Sequence, residues 1–295
     1  MIPQFDNILM TSTLLWLDNK ILTKGQAYTN FQSMFYPLPN MYYGYYTYAA
    51  PFKQMVIDCS ISGANIISGV YINGTFTIPG QNGLTGIDSS NGQLYFTSPV
   101  SNPSTALSGN YAVKDFNIYL TSKTEENLLF ETAYQINPKT YQNPTGLPFG
   151  AETYPVIYLK YQGGKNKPLA FGGYDQTIGN VRAIILADSV YSLDAVTSIL
   201  RDTSRQLIPL IYPDEMPFNS LNSVKTSNNC FNYREFTATK ANTDDYLYIN
   251  EVNVTKTDTR LLNATNSLNR NVYSAFVDFE LIKNRYTRQK KNRKV

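Results

Sequence analysis

The chain has 295 residues, of which 42% are hydrophobic and only 16% are charged, and its formal net charge is +3. This hydrophobic content excludes a wholly disordered chain, and the length allows two domains of ordinary size. The absence of histidine excludes Ser–His and Cys–His nucleophile pairs and zinc sites of mixed His and Cys ligands. We therefore expect a protein that is not an enzyme, with no metal and no cofactor. The 24 tyrosines suit large protein–protein contacts, although an AT-rich genome produces the same bias.

Apolar residues spaced along residues 10–23 predict a short amphipathic helix that ends at Gly25. Charged residues interrupt the apolar positions of this segment, and no basic stretch precedes it. We therefore expect neither a signal peptide nor a membrane span, and a chain that is made in the cytoplasm without membrane contact. Cys59 and Cys230 lie outside any CxxC pattern and predict two unpaired thiols in a reducing compartment.

Residues 34–52, MFYPLPNMYYGYYTYAAPF, are dense in aromatic residues and contain three prolines. Prolines exclude a helix and most central-strand positions, so residues 1–52 are predicted to hold the helix followed by an extended aromatic arm. The arm either spreads over a neighbouring subunit, which we favour, or packs back on its own domain. The candidate subunit-interface residues are Tyr36, Tyr42, Tyr43, Tyr45, Tyr46, Tyr48 and Phe52.

Residues 53–125 alternate apolar and polar positions between Asn–Gly turns, which predicts a small β-sandwich or barrel that serves for docking. Residues 126–153 carry several prolines and are expected to form a packed connection. Residues 154–282 combine buried strands with one amphipathic helix, for which Ser192 is the predicted N-cap and Leu207 part of the apolar stripe. The predicted fold class is therefore α+β, a β-rich chain of two domains in which the second forms a ring.

The sequence offers few candidate catalytic or ligand-binding residues. Asp188, Asp194 and Asp202 fall at a strand end, in a first helical turn and on a helix surface, which are ordinary positions for aspartate. The paired glycines of YQGGKNK and FGGYD do not have the spacing of a phosphate-binding loop and predict hairpin turns.

Residues 283–295 form a basic C-terminal tail without acidic residues. Such a tail binds DNA, binds an acidic protein neighbour, or is simply solvated. The candidate contact residues are Lys283, Arg285, Arg288, Lys290, Lys291, Arg293 and Lys294.

The segments GVYINGT, IDSSNGQLYFTSPV and SGNYAVKDFNIYL resemble part of the virion structural proteins of tailed bacteriophages, found in the neck or tail. The resemblance covers residues 69–120, which run from GVYINGT to SGNYAVKDFNIYL, and it implies no catalytic residues. Together with the composition it leads us to expect a virion subunit, assembled in the host cytoplasm, that forms a six- or twelve-fold ring at the head–tail junction with other virion proteins and DNA as neighbours. The alternatives are a glycan- or receptor-binding surface protein, a capsid decoration protein, and an enzyme that uses paired carboxylates.

Overall fold

The computed structural model describes residues 4–101, 107–132, 154–225, 230–241, 243–257 and 272–287, with the side chains of residues 129–132 excepted. Four helices lie within these ranges, α1 (Phe5–Gly25), α2 (Glu125–Thr132), α3 (Val190–Arg201) and α4 (Tyr233–Lys240). The strands of the first half are β1 (Tyr28–Met34), β2 (Tyr36–Pro37), β3 (Tyr46–Ala49), β4 (Val70–Ile72), β5 (Thr75–Thr77), β6 (Leu84–Asp88), β7 (Gln93–Phe96), β8 (Leu107–Lys114) and β9 (Asn117–Leu120). Those of the second half are β10 (Val156–Ala170), β11 (Tyr174–Ala187), β12 (Leu207–Pro209), β13 (Tyr246–Lys256) and β14 (Tyr273–Tyr286). The predicted β-rich α+β fold class is confirmed.

The first half of the chain contains two four-stranded sheets, ordered β1-β8-β4-β5 and β2-β3-β7-β6. Buried side chains from both sheets, including Val70, Leu94 and Tyr111, meet in one hydrophobic cluster. The β4–β5 turn is formed by Asn73 and Gly74, both with positive φ (49° and 80°), as the Asn–Gly pattern predicts.

The five strands of the second half and β9 form a six-stranded sheet in the order β12-β13-β14-β11-β10-β9. All of its pairings are antiparallel except that of β9 with β10. We call the side that packs on α1 and α3 the inner face and the opposite side the outer face. On the inner face Trp16 of α1 contacts the Phe279 ring edge-on, with 6.2 Å between the ring centroids, and the largest hydrophobic cluster lies here.

Helix α1 is buried on more than one side, which is why its apolar residues do not form a single stripe. It packs against the six-stranded sheet and also against Val56, Ile61, Ala112 and Phe116 of the first half. The helix is longer than the predicted 10–23 span. The Gln4 N–H donates to Asn7 Oδ1 (3.0 Å) at its start, and Gln26 adopts a left-handed conformation (φ 47°) at its end.

The predicted division into domains needs two corrections. Helix α1 was grouped with the aromatic arm but packs in the core of the six-stranded sheet. Strand β9 was assigned to the first domain but pairs with β10 of the second, with Val156 opposite Asn117. The predicted boundary near residue 125 therefore does not separate two cores.

Two details of the predicted helix near residues 192–207 are also wrong. The N-cap of α3 is Ser189, whose side chain accepts from the Ser192 N–H at 3.1 Å. The helix ends at Arg201, and Leu207 begins the edge strand β12 instead of extending the apolar stripe. Of the predicted glycine turns, FGGYD joins β10 to β11, whereas YQGGKNK lies inside β10 at an irregularity between Tyr161 and Gly163.

The expectation of two unpaired thiols is wrong as well. Cys59 and Cys230 form a disulfide, with their Cα atoms 5.8 Å apart. Backbone hydrogen bonds join the same two segments, from Cys59 N to the Phe231 carbonyl and from Phe231 N to the Ile57 carbonyl, each 2.9 Å long. Residues far apart in sequence are therefore brought together by backbone pairing that a local pattern does not reveal.

A three-way ion pair secures α2 on the outer face of the six-stranded sheet. The Arg182 guanidinium donates to both carboxylate oxygens of Asp278 (2.6 and 2.9 Å) and to Glu125 of α2 (2.7 Å). Its carbon also lies 5.4 Å from the centre of the Phe276 ring. Most of the predicted connection 126–153 lies outside the described residues. No helix within the described ranges is long and apolar enough to cross a membrane.

Candidate subunit-interface surfaces

Residues 38–46, which we call the tyrosine loop, connect β2 to β3 at one end of the first half. Tyr42 and Tyr45 exchange backbone hydrogen bonds (3.0 and 2.9 Å) across a tight turn. Tyr43 and Gly44 at its centre both have positive φ (47° and 84°). This turn places the Tyr43 side chain at the tip, where it is 83% exposed.

A buried polar network holds the tyrosine loop in place. The Tyr42 ring stacks on Tyr95 with 5.2 Å between centroids, and the Tyr95 hydroxyl donates to the buried Asp88 carboxylate (3.2 Å). Asp88 also accepts from the Asn91 and Asn222 side chains, each at 2.8 Å. Burial raises the pKa of Tyr95, so its hydroxyl stays protonated and donates this hydrogen bond. An aromatic surface fixed in this way loses little conformational entropy when it binds a partner.

The predicted interface residues differ in how far their side chains are exposed. Those with exposed side chains are Tyr36, Tyr42, Tyr43 and Tyr46, and Tyr45 is half-buried. Tyr48 is a core residue, because it packs edge-on against Phe96 (5.4 Å) and its hydroxyl accepts from the Val100 N–H at 2.8 Å. Phe52 is half-buried and packs against Phe31 at 4.5 Å.

The predicted arm is therefore only partly free. Strand β3 pairs with β7 along its whole length, and Ala50 N donates to the Gly92 carbonyl at 2.8 Å. A Cβ at Gly92 would lie 2.2 Å from the Phe52 carbonyl oxygen, which shows how closely the two backbones approach. The second half of the aromatic segment thus packs back on its own domain, as the alternative interpretation predicted.

The end of the β10–β11 hairpin, residues 168–174, is a second exposed apolar surface, which we call the hairpin tip. Leu169 is 50% exposed and Phe171 is fully exposed. Gly172 and Gly173 make the turn with φ of 87° and 82°. The FGGYD motif predicted this turn, but the length of the two strands, which carries Phe171 beyond the core, was not predicted.

The basic residues were predicted to form a tail, but two of them lie in strand β14. The Arg285 guanidinium stacks 4.0 Å from the centre of the Phe5 ring and donates to Thr177 Oγ1 at 2.8 Å. Desolvation lowers the pKa of Arg285. Arg285 is therefore a packing residue that closes the end of α1 on the inner face. Lys283 is also in β14, and the other predicted contacts lie outside the described residues, namely Arg288, Lys290, Lys291, Arg293 and Lys294.

The three candidate carboxylates lie in separate exposed settings. Asp194 pairs with Lys256 at 2.7 Å in an exposed position, and Asp202 lies 3.6 Å from Arg201. Asp188 is exposed at the end of β11. Among the residues that the structure describes, no three His, Cys, Asp or Glu side chains are grouped so that they could hold a metal ion.

A shallow depression of about 470 Å³ lies at the outer-face end of the six-stranded sheet. Its lining combines three tyrosine rings with amide side chains, contributed by Tyr174, Tyr246, Tyr248, Gln176, Asn250 and Asn284. The ring of Tyr174 also contacts that of Tyr286, with 4.7 Å between centroids.

Comparison with models of known protein families found no matching family, and a search of curated proteins found no relative.

Proposed function

We propose that this chain is a non-enzymatic structural subunit that assembles into a ring, and that the ring belongs to the neck or head–tail junction of a tailed phage. Assembly is supported by the exposed apolar surfaces, and the phage location by the resemblance of the 69–120 region to virion proteins. A six- or twelve-fold ring would enclose the DNA channel, with other virion proteins above and below it.

The hairpin tip is the observation that carries the proposal. A phenylalanine side chain that is fully exposed forgoes a transfer free energy of about 2–3 kcal/mol that burial would supply. The neighbouring Leu169 adds to the apolar area, and the tyrosine loop offers a second exposed aromatic surface on the other half of the chain. Exposed apolar residues that are grouped on projecting, well-anchored turns are typical of protein–protein contacts.

Glycan binding is the second candidate function. The depression lined by Tyr174, Tyr246 and Tyr248 offers ring faces and amide groups, which suit a ligand with an apolar face and many hydroxyls. A glycan array distinguishes the two functions. Specific saccharide binding that is lost in a Tyr248→Ala variant would favour this candidate, and a blank array favours assembly.

The hairpin tip provides a test of assembly. Replacing Leu169 and Phe171 together by Ser is expected to weaken self-association at least tenfold, since both apolar contacts are lost while the fold keeps its core. Sedimentation velocity over a range of concentrations measures the change. Tyr191→Ser is the matched control, because Tyr191 is 85% exposed but lies at the start of α3, outside both surfaces.

The control variant is expected to sediment like the wild-type chain. A double Ser variant that associates as tightly as the wild type would contradict the role given to the hairpin tip. The location is checked by mass spectrometry of purified virions and by antibody labelling of the particle, for which labelling at the neck is expected.

A further inference from the structure

Two edges of the six-stranded sheet have no strand partner over part of their length. Strand β9 covers only the start of β10, from Val156 to Leu159. Strand β12 covers only the start of β13, from Tyr246 to Tyr248. Within the described part of the chain, no strand pairs with residues 161–170 on the side away from β11, and we call this stretch the β10 edge. No described strand pairs with residues 250–256 on the side away from β14 either, and we call this stretch the β13 edge. Free edges expose backbone N–H and C=O groups that can pair with another chain.

The two free edges carry opposite charges on the same face of the sheet. Lys165 and Lys167 lie on the β10 edge opposite Ile178 and Gln176, whose side chains point to the outer face. Glu251 lies on the β13 edge opposite Glu280 on that same face. The two lysines and Glu251 are exposed, and neither these three side chains nor Glu280 forms an ion pair with another described residue.

We infer that the β13 edge of one copy pairs with the β10 edge of the next copy, so that the six-stranded sheets join into one continuous sheet around the ring. This inference rests on the proposed function and names the contact by which the ring closes. The occupant of each free edge is thus a second copy of this chain. The interaction is a main-chain strand addition whose register is set by the charged side chains.

The strand directions fit this contact. Within one copy β10, β11, β14 and β13 alternate in direction, because each adjacent pair is antiparallel. When a copy is rotated about an axis roughly along the strands, its β10 arrives beside β13 of the first copy in the opposite direction. The antiparallel alternation therefore continues across the junction without a break.

The free lengths fit over the part of the β10 edge that carries the lysines. Placing Lys167 opposite Glu251 sets residues 162–168 of one copy against residues 250–256 of the other, between β12 of the first copy and β9 of the next. Residues 169–170 and the turn after them then extend past this gap to the level of β12, where they have to leave the plane of the joined sheet. This register shifts neighbouring copies along the strands, and such a shift tilts the strands against the axis, as closure of a barrel requires.

The charges select this pairing over the alternatives. Two β10 edges would bring lysines together, and two β13 edges would bring glutamates together, and like charges that face each other across strands are unfavourable. Only the β10–β13 combination brings opposite charges together. It is a head-to-tail contact. Such a contact generates a closed ring when the repeated rotation from one copy to the next returns to the first copy.

Charge reversal tests the contact. Glu251→Lys and the double change Lys165→Glu/Lys167→Glu are each expected to weaken self-association at least tenfold by sedimentation velocity in low salt, because each puts like charges at the junction. The triple variant that combines them restores opposite charges with their positions exchanged, and it is expected to recover the wild-type association. Lys53→Glu is the matched control, since Lys53 is exposed and lies outside the six-stranded sheet.

Hydrogen exchange gives an independent readout of the same contact. Amides of residues 250–256 and 161–167 are expected to become protected as the concentration rises and the ring forms. If the wild type forms rings but neither reversal weakens them and these amides stay unprotected, the edge contact is wrong and the proposed function survives. If the wild type remains a monomer at every concentration, both are wrong.

Discussion

Replacing Lys114 by Met is expected to lower the free energy of unfolding by about 3–5 kcal/mol at pH 7, because it leaves a buried carboxylate without its partner. Lys114 Nζ lies 2.6 Å from Asp18 Oδ1, and both side chains are only about a tenth exposed (11% and 10%). The pair joins α1 to the end of β8. Its loss would weaken the contact between the two halves of the chain as well as the local packing.

The pH dependence of this variant has a definite sign. Burial raises the pKa of Asp18, and the nearby Asp58 raises it further, while Lys114 opposes both effects. A carboxyl whose pKa is higher in the folded state binds its proton more tightly there, so stability falls as the pH rises between the unfolded and folded pKa values. Without Lys114 the pKa of Asp18 rises further. The variant is therefore expected to regain part of its lost stability when the pH is lowered from 7 to 5.

The double variant Asp18→Asn/Lys114→Met is the control, since it removes both charges and keeps the approximate shapes. It is expected to lose much less stability than Lys114→Met alone and to lack the recovery at pH 5. Urea unfolding at the two pH values measures all three chains. Equal losses in the single and double variants, or a single variant indifferent to pH, would show that Asp18 is not a buried charge held by Lys114.

Reduction of the disulfide is the second large effect. Cys59 and Cys230 are separated by 171 positions, and in the chain-entropy model a cross-link that closes such a loop contributes about 5 kcal/mol by restricting the unfolded chain. The folded segments remain joined by backbone hydrogen bonds, so the reduced protein is expected to keep its fold with a lower urea midpoint.

The Cys59→Ala/Cys230→Ala variant separates the disulfide from other effects of the reductant. Its urea midpoint is expected to be low and to be the same with and without reductant, whereas the wild-type midpoint falls only when reductant is added. Thiol titration of the unfolded, unreduced wild type is expected to find no free thiol. Two titratable thiols and a midpoint insensitive to reductant would mean that the cysteines are not paired in solution.

Local pattern predicted those parts of the fold that depend on local chemistry. The Asn73–Gly74 turn follows from turn propensity, and the central residues of α1 follow from apolar spacing. Pairings between distant segments were not predicted, because alternation shows that a strand exists but not which strand lies beside it. The parallel pairing of β9 with β10 and the approach of Cys59 to Cys230 are both of this kind.

The candidate surfaces show the same limit. Tyr43 and Tyr48 occur in one aromatic run, and only the β3–β7 pairing decides that Tyr48 is buried while Tyr43 stands at a turn. Arg285 belongs to a basic run in sequence, but the length of β14 carries it over the Phe5 ring. The free β10 and β13 edges depend on where the short strands β9 and β12 end, and no sequence pattern reports this.

The mass of the wild-type chain in solution tests most directly whether it works by assembly. Sedimentation equilibrium at rising concentration is expected to show a transition from the 33.3 kDa chain to one closed oligomer whose mass is a fixed multiple of it, with no continued growth beyond that size. A chain that stays at the monomer mass throughout, with Phe171 and the tyrosine loop exposed to water, would contradict the proposal.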